Sequence, residues 1–205
     1  MSEKTIGIID YGMGNLGSVS CALDRLGIKN IFVQKEKELA DCDRIIIPGV
    51  GSFNAAMNNI RMLGLESGIK NFAAQGKPVL GICLGMQVLF MQGTEGGITR
   101  GLGLLKGTVE KLAFAPKLPH TGWNNVLSLK ESRLLKGIKN NSWFYFVHSF
   151  ACKPALQDCI LSVTEYGKQF VSIVEYKNIF GVQFHPEKSG RTDAILLNNF
   201  CKMML

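Results

Sequence analysis

A cysteine framed by glycines, Gly81-Ile82-Cys83-Leu84-Gly85, closes the apolar run that starts at Val79. A helix-forming run, Leu84 to Met91, follows at once. This is the layout of a nucleophile elbow, a sharp strand-to-helix turn that exposes a reactive side chain, with Cys where Ser is better known. Near the C-terminus, Phe180-Gly181-Val182-Gln183-Phe184-His185-Pro186-Glu187 reads as a strand ending in His-Pro-Glu. Thiol, imidazole and carboxylate are the parts of a nucleophile, its base and the group that orients the base.

A lone cysteine at a strand end is more often a buried filler. Gly81 and Gly85 argue otherwise, because filler does not need them and a sharp turn needs small residues beside it. At a helix N-terminus, free amides and the helix dipole would lower the Cys83 pKa. Pro186 fixes the chain direction after His185. Glu187 lies two residues on, which in extended chain puts it on the same side as His185, where it would favour the charged imidazole. Pro48-Gly49-Val50-Gly51 reads either as a source of glycine-flanked amides that donate to an oxyanion, with that of Leu84, or merely as a tight strand-to-helix turn. His120 and His148 read more simply as satisfied in a loop or at an interface.

Positioning these groups requires a sheet. Thr5 to Asp10, Ile31 to Val33, Arg44 to Ile47 and Val79 to Cys83 are strand-like. Leu16 to Leu26, with apolar residues at helical spacing and Gly27 as a stop, and Ser52 to Phe72, with Gly64 and Gly68 weighing against its continuity, are helical. Strands joined by helical crossovers predict a parallel sheet covered on both faces, whose ligands sit beyond the strand C-termini. Asn15, the Gly49–Gly51 turn and Cys83 all follow such ends. The second half is richer in short strands: Thr108 to Leu112, Trp123 to Leu129, Phe144 to Val147, Cys159 to Thr164, Val171 to Tyr176 and Ile179 to Phe184. They predict antiparallel additions to the sheet. Arg191 to Met204 predicts a closing helix. The fold class is α/β, a mostly parallel central sheet with flanking helices and antiparallel additions. Residues 1–205 read as one domain.

Composition narrows the class. With 205 residues, 46% hydrophobic and 19% charged, the chain can bury a full core. No apolar run nears the ~20 residues that span a bilayer. Met1-Ser2-Glu3-Lys4 lacks a secretion-signal layout, so a cytoplasmic protein is expected. The six cysteines show no Cys-x-x-Cys pair and the three histidines are scattered, so neither a metal site nor a disulfide framework is expected. The net charge of +7 comes from lysines spread singly along the chain. That favours a solvated surface, with an acidic partner or phosphorylated ligand as the alternative, and neither nucleic acid nor membrane.

The assembled motifs resemble the class I (triad) glutamine amidotransferases over nearly the whole chain. Gln183-Phe184-His185-Pro186-Glu187-Lys188-Ser189 is similar to the motif of the wider class. Asp10-Tyr11-Gly12-Met13-Gly14-Asn15-Leu16, Pro48-Gly49-Val50-Gly51-Ser52-Phe53, Pro119-His120-x-Gly122-Trp123-Asn124 and Tyr145-Phe146-Val147-His148-Ser149 also match, and the Gly-Trp-Asn and Pro-Gly-Val-Gly motifs narrow the likeness to the glutaminase subunits of imidazole glycerol phosphate synthases. The resemblance implies a Cys83–His185–Glu187 triad that hydrolyses L-glutamine through a thioester. It implies oxyanion amides at Val50, Gly51 and Leu84, and glutamine held by Gln87, Glu95 and the backbone of His148, Ser149 and Phe150. It implies no cofactor, and ammonia passed to a cyclase barrel in a heterodimer whose face includes Asn15, His120, Trp123, Tyr145 and Lys188. Members are typically poor glutaminases until the partner binds its ligand.

Gly17, Thr121, Gly93-Thr94-Glu95 and Phe150 depart from the common pattern, and none touches the triad. Three rival readings remain open. One is a paralogous subunit feeding ammonia to another synthase, such as one amidating a nucleotide sugar. The others are a γ-glutamyl peptidase on the same fold and a catalytically silent binding module.

Overall fold

The computed structural model describes residues 4–188 and 190–203. Met1, Ser2 and Glu3 of the N-terminal reading, Ser189 of the His-Pro-Glu motif and Met204 of the closing helix lie outside the described residues.

The first half alternates as its periodicity requires: β1 (Ile6–Ile9), α1 (Leu16–Arg25), β2 (Asn30–Val33), β3 (Arg44–Ile47), α2 (Phe53–Met62), α3 (Leu65–Ala74), β4 (Val79–Ile82) and α4 (Leu84–Val88). Then come β5 (Phe90–Gly93), β6 (Thr99–Arg100), β7 (Leu105–Lys111), β8 (His120–Ser128), β9 (Ser142–His148), β10 (Phe150–Pro154), β11 (Ile160–Tyr166), β12 (Lys168–Tyr176), β13 (Ile179–Val182) and α5 (Arg191–Lys202). The expected helix over 52–72 is two helices, divided where Gly64 takes a left-handed conformation with φ 67°.

One nine-stranded sheet runs β2-β1-β3-β4-β13-β12-β11-β8-β9. From β2 to β13 the pairings are parallel, and from β13 to β9 antiparallel. A second, four-stranded sheet runs β10-β7-β5-β6. Strands β1, β3, β4 and β13 are buried along their whole length, as near-continuous apolar runs with both faces covered must be.

The pleat sends alternate residues to two cores. Ile45, Ile47 and Val79 pack with α2, α3 and the second sheet, through Phe53, Ile60, Ile69, Leu105 and Val109. Ile46, Leu80 and Ile82 pack with α1 and α5, through Val19, Leu23, Leu197 and Phe200.

The helix expected over Leu84 to Met91 stops at Val88. Phe90–Gly93 instead pairs with β7. The backbone of the connection is claimed by 102–105: Leu102 N–H donates to Val88 O at 2.8 Å and Leu105 N–H to Leu89 O at 3.0 Å. Helix-forming residues there yield to a pairing made farther along the chain. Among the described residues, no helix is long and apolar enough to cross a membrane.

Candidate active site

Cys83 follows the last residue of β4 and carries φ 54°, ψ −110°, a conformation that L-residues rarely adopt. Its N–H is tied to Val182 O at 2.7 Å and its carbonyl accepts from Gln87 N–H at 3.2 Å. The turn is too tight for side chains on either flank. A Cβ on Gly85 would lie 1.7 Å from Ile47 O, and one on Gly81 would lie 2.5 Å from Gly85 O. The sequence thus folds into an elbow, with Leu84 at the first helical position, where amides lack an intrahelical acceptor. With only five residues, α4 supplies such amides but little of the long-helix dipole expected from the sequence.

His185 and Glu187 arrive on the neighbouring strand. Since Ile82 pairs with Val182 in parallel register, β4 and β13 deliver their following residues to the same sheet edge. His185 Nδ1 lies 2.8 Å from Glu187 Oε1, and both side chains are about fully buried. The expected contact is present, but its geometry differs. Pro186–Lys188 is a 3-10 turn rather than extended chain, so curling brings the carboxylate back onto the ring. Burial lowers the His185 pKa; the neighbouring Cys83 sulfur and Glu187 carboxylate outweigh it and raise the value to about 10. His185 Nε2 and Glu187 Oε2 have no hydrogen-bond partner among the described residues.

A cavity of about 310 Å³ opens over Cys83, lined by Val50, Gly51, Leu84, Gln87, Glu95, His148, Ser149 and Phe150, with Pro119 and Val147 completing the wall. A wider, open groove of about 1340 Å³ beside Lys130, Arg133 and Glu175 contains none of these residues. Glu95 Oε2 accepts from the N–H of Phe53 at 2.8 Å, at the start of α2. Gln87 Nε2 donates to Phe150 O at 3.0 Å. The Pro48–Gly51 turn is latched from below, because the buried Tyr11 hydroxyl donates to Pro48 O at 2.7 Å. Burial, with Cys83 nearby, raises the Tyr11 pKa and keeps it a donor.

Trp123 is 50% exposed, which excludes a core role for it. It meets Tyr145 edge-on at 6.0 Å, and Lys188 Nζ lies 5.3 Å over the Tyr145 ring. Asn15 is half-buried at the start of α1. His120 is buried rather than exposed beside these residues. It is 3% exposed, stacks on Tyr166 at 4.0 Å, and places Nδ1 3.0 Å from His148 Nε2.

Sequence reasoning missed several contributors. Gln183, quoted only as part of a motif, is fully buried with Nε2 3.7 Å from Cys83 Sγ. Its position two residues before His185 near a strand end was the available signal. Asp193 was unmarked too. Burial raises its pKa to about 7, the Gly190 amide opposing and the Glu187 charge adding to it. All six cysteines are free thiols, and the described residues contain no cluster that could hold a metal ion.

The strained backbone at Cys83, the buried imidazole–carboxylate pair and the small cavity come together beyond the ends of the parallel strands β4 and β13, as a candidate site for a cysteine amidohydrolase. The chain belongs to the class-I glutamine amidotransferases, whose family model matches residues 7–204. It is 47% identical to the imidazole glycerol phosphate synthase subunit HisH of Methanocaldococcus jannaschii, over 97% of this chain and all of that protein. It is 46% identical to the HisH subunit of Aquifex aeolicus, over 94% of each. Among solved structures, a glutamine amidotransferase superposes with TM-score 0.76 at 21% identity, covering 95% of this chain and 96% of that one. PurLQS from Thermotoga maritima gives 0.76 at 19% identity, covering 97% of each. These two likenesses bear on the fold.

Proposed function

We propose that the protein is the glutaminase subunit of imidazole glycerol phosphate synthase, hydrolysing L-glutamine and delivering the ammonia to a cyclase barrel for histidine biosynthesis. The observation that carries the chemistry is the strained Cys83 under a cavity sized for one amino acid, beside the buried His185–Glu187 pair. The subunit assignment is supported by relatives of the same name matched over nearly their full length.

In this reading Cys83 thiolate attacks the carboxamide carbon of glutamine. The oxyanion is received by the amides of Val50, Gly51 and Leu84. The protonated His185 gives its Nε2 proton to the departing nitrogen, the C–N bond breaks, and ammonia leaves a γ-glutamyl thioester. His185 then takes a proton from water, whose oxygen attacks the thioester. Glutamate is released as the C–S pair returns to sulfur. Glu187 orients the His185 ring throughout and stabilises it whenever it is protonated. Gln87, Glu95, His148, Ser149 and Phe150 hold the substrate.

Asn15, Trp123, Tyr145 and Lys188 form the partner face, where exposed aromatic rings are common anchors. His120 is withdrawn from that face. Residues 1–205 act as one domain, in a cytoplasmic setting consistent with six unpaired thiols.

The test is glutamine hydrolysis by the purified chain, alone and with a histidine-pathway cyclase subunit and its nucleotide ligand. Strong stimulation by the pair is expected. Activity indifferent to the cyclase would favour a stand-alone hydrolase or a subunit of another synthase.

A further inference from the structure

An amide side chain can face a neighbour with either end, because its oxygen accepts and its nitrogen donates. For Gln183 the surroundings decide. The Phe150 carbonyl can only accept, and Gln87 meets it at 3.0 Å, so Gln87 presents its NH2 group there. The same NH2 group meets Gln183 at 3.1 Å, so Gln183 presents its oxygen to Gln87. The Gln183 NH2 group is therefore left facing Cys83 Sγ, at 3.7 Å. Nothing in the chain of bonds is loose. The Phe150 carbonyl also accepts from His148 Nδ1 at 2.8 Å, and Gln183 N–H donates to Ser172 O at 2.9 Å.

We propose that Gln183 is a catalytic residue: its amide donates a hydrogen bond to the Cys83 sulfur and holds that sulfur as the nucleophile. This rests on the reading of Cys83 given above. The Val147 carbonyl, 3.9 Å from Sγ, can accept only from a protonated thiol and so favours the unreactive form. A donor on the sulfur favours the thiolate and offsets it. The same bond assists the second half-reaction. When the tetrahedral intermediate formed by water collapses, the C–S bond breaks and its electron pair moves to sulfur, where the Gln183 amide receives it.

The experiment follows alkylation of Cys83 by iodoacetamide against pH, with mass spectrometry reading that thiol alone. In Gln183→Leu the midpoint is expected to rise by about one pH unit, the worth of a hydrogen bond to a charged acceptor. In Gln183→Glu it is expected to rise further, since a carboxylate would repel the thiolate. Unmoved midpoints in both variants would overturn the proposal. Because a buried substitution can disturb folding, the unaltered protein supplies a second measurement. The Gln183 side-chain amide signals in 15N NMR are expected to titrate with the Cys83 midpoint, and flat signals would overturn the proposal as well. None of these readouts needs glutaminase activity. If Cys83→Ala kept full hydrolysis, the proposed function would fall. If Cys83→Ala were dead and Gln183 had no effect on alkylation, only this inference would.

Discussion

His120 Nδ1 and His148 Nε2 lie 3.0 Å apart on directly opposed positions of β8 and β9, and the direction of the bond between them is determined. His148 Nδ1 faces the Phe150 carbonyl, so it carries the proton. Its Nε2 must then accept, and His120 Nδ1 donates. His120 Nε2 accepts in turn from Asn124 Nδ2 at 3.2 Å. Both rings are neutral, and burial pushes their pKa values down to about 4 for His120 and about 3 for His148. Long-range 1H–15N correlation spectra at neutral pH are expected to show the Nδ1–H tautomer for both. In His120→Ala the buried acceptor of His148 loses its donor, at a cost of about 1–3 kcal/mol in denaturant unfolding.

Replacing Cys83 by Ala is expected to abolish glutamine hydrolysis while the folded chain persists. The change removes one sulfur from the cavity wall and relieves none of the tight contacts that Gly81 and Gly85 accommodate. Isotope-labelled ammonia release by the variant at the parent rate would refute the mechanism.

Glu187→Gln keeps the shape of the pair but replaces the carboxylate that His185 Nδ1 faces at 2.8 Å. Glutamine turnover is expected to fall by roughly two to four orders of magnitude, the range for losing the orienting member of a triad or its base. The pH dependence of stability follows in sign. The folded His185 pKa is raised to about 10, so its contribution is complete below the unfolded value of 6.5 and is lost as pH climbs through about 10. Thermal melts of the parent are expected to lose this increment on the alkaline side, and melts of Glu187→Gln are expected to lose less.

Asp193 works in a lower window. Its folded pKa is raised from 3.8 to about 7, so the native state binds the proton more tightly than the unfolded chain. Its contribution is present below the unfolded value and is lost as pH rises through about 7. Asp193→Asn keeps an acceptor for Gly190 N–H and cannot ionise. The melting temperature gained by this variant is expected to grow as pH rises from about 4 to about 7. A gain independent of pH would mean that the carboxyl is not protonated in the native state.

Gly85→Ala would place a carbon 1.7 Å from Ile47 O, backbone that strand pairing holds in place. Destabilisation of about 3 kcal/mol or more, or failure to accumulate soluble protein, is expected. A chain as stable as the parent would show that the elbow is looser than its geometry implies.

Where a segment's own residues decide its structure, the sequence was readable. Arg44–Ile47 forms a strand at the expected bounds, because a continuous apolar run between turns leaves little alternative. The interruption at Gly64 fell where glycine could take a left-handed turn. Strand β5 was hidden, since Leu, Met and Gln form helices well and only the later β7 segment claims that backbone. Strand β10, Phe150–Pro154, went unforeseen because it is short and ends in proline, and only its pairing with β7, about forty residues earlier, makes it a strand. In the site, Cys83, His185 and Glu187 announced themselves by type and spacing. The burial of His120 was not legible, because it depends on His148 across a strand pair. The orientation of Gln183 is a property of three neighbours at once and has no signature in a linear motif.

The register of β4 against β13 has a consequence for the order in which the molecule becomes competent. Ile82 meets Val182 only after all the chain between them has been made and threaded into place. A nascent or truncated protein ending before β13 carries the thiol without its base, and the Cys83 amide without the Val182 carbonyl that holds the elbow. A chain that stops short of β13 therefore lacks both the neighbouring imidazole and the carbonyl that pins the elbow, and the two are supplied together by one strand.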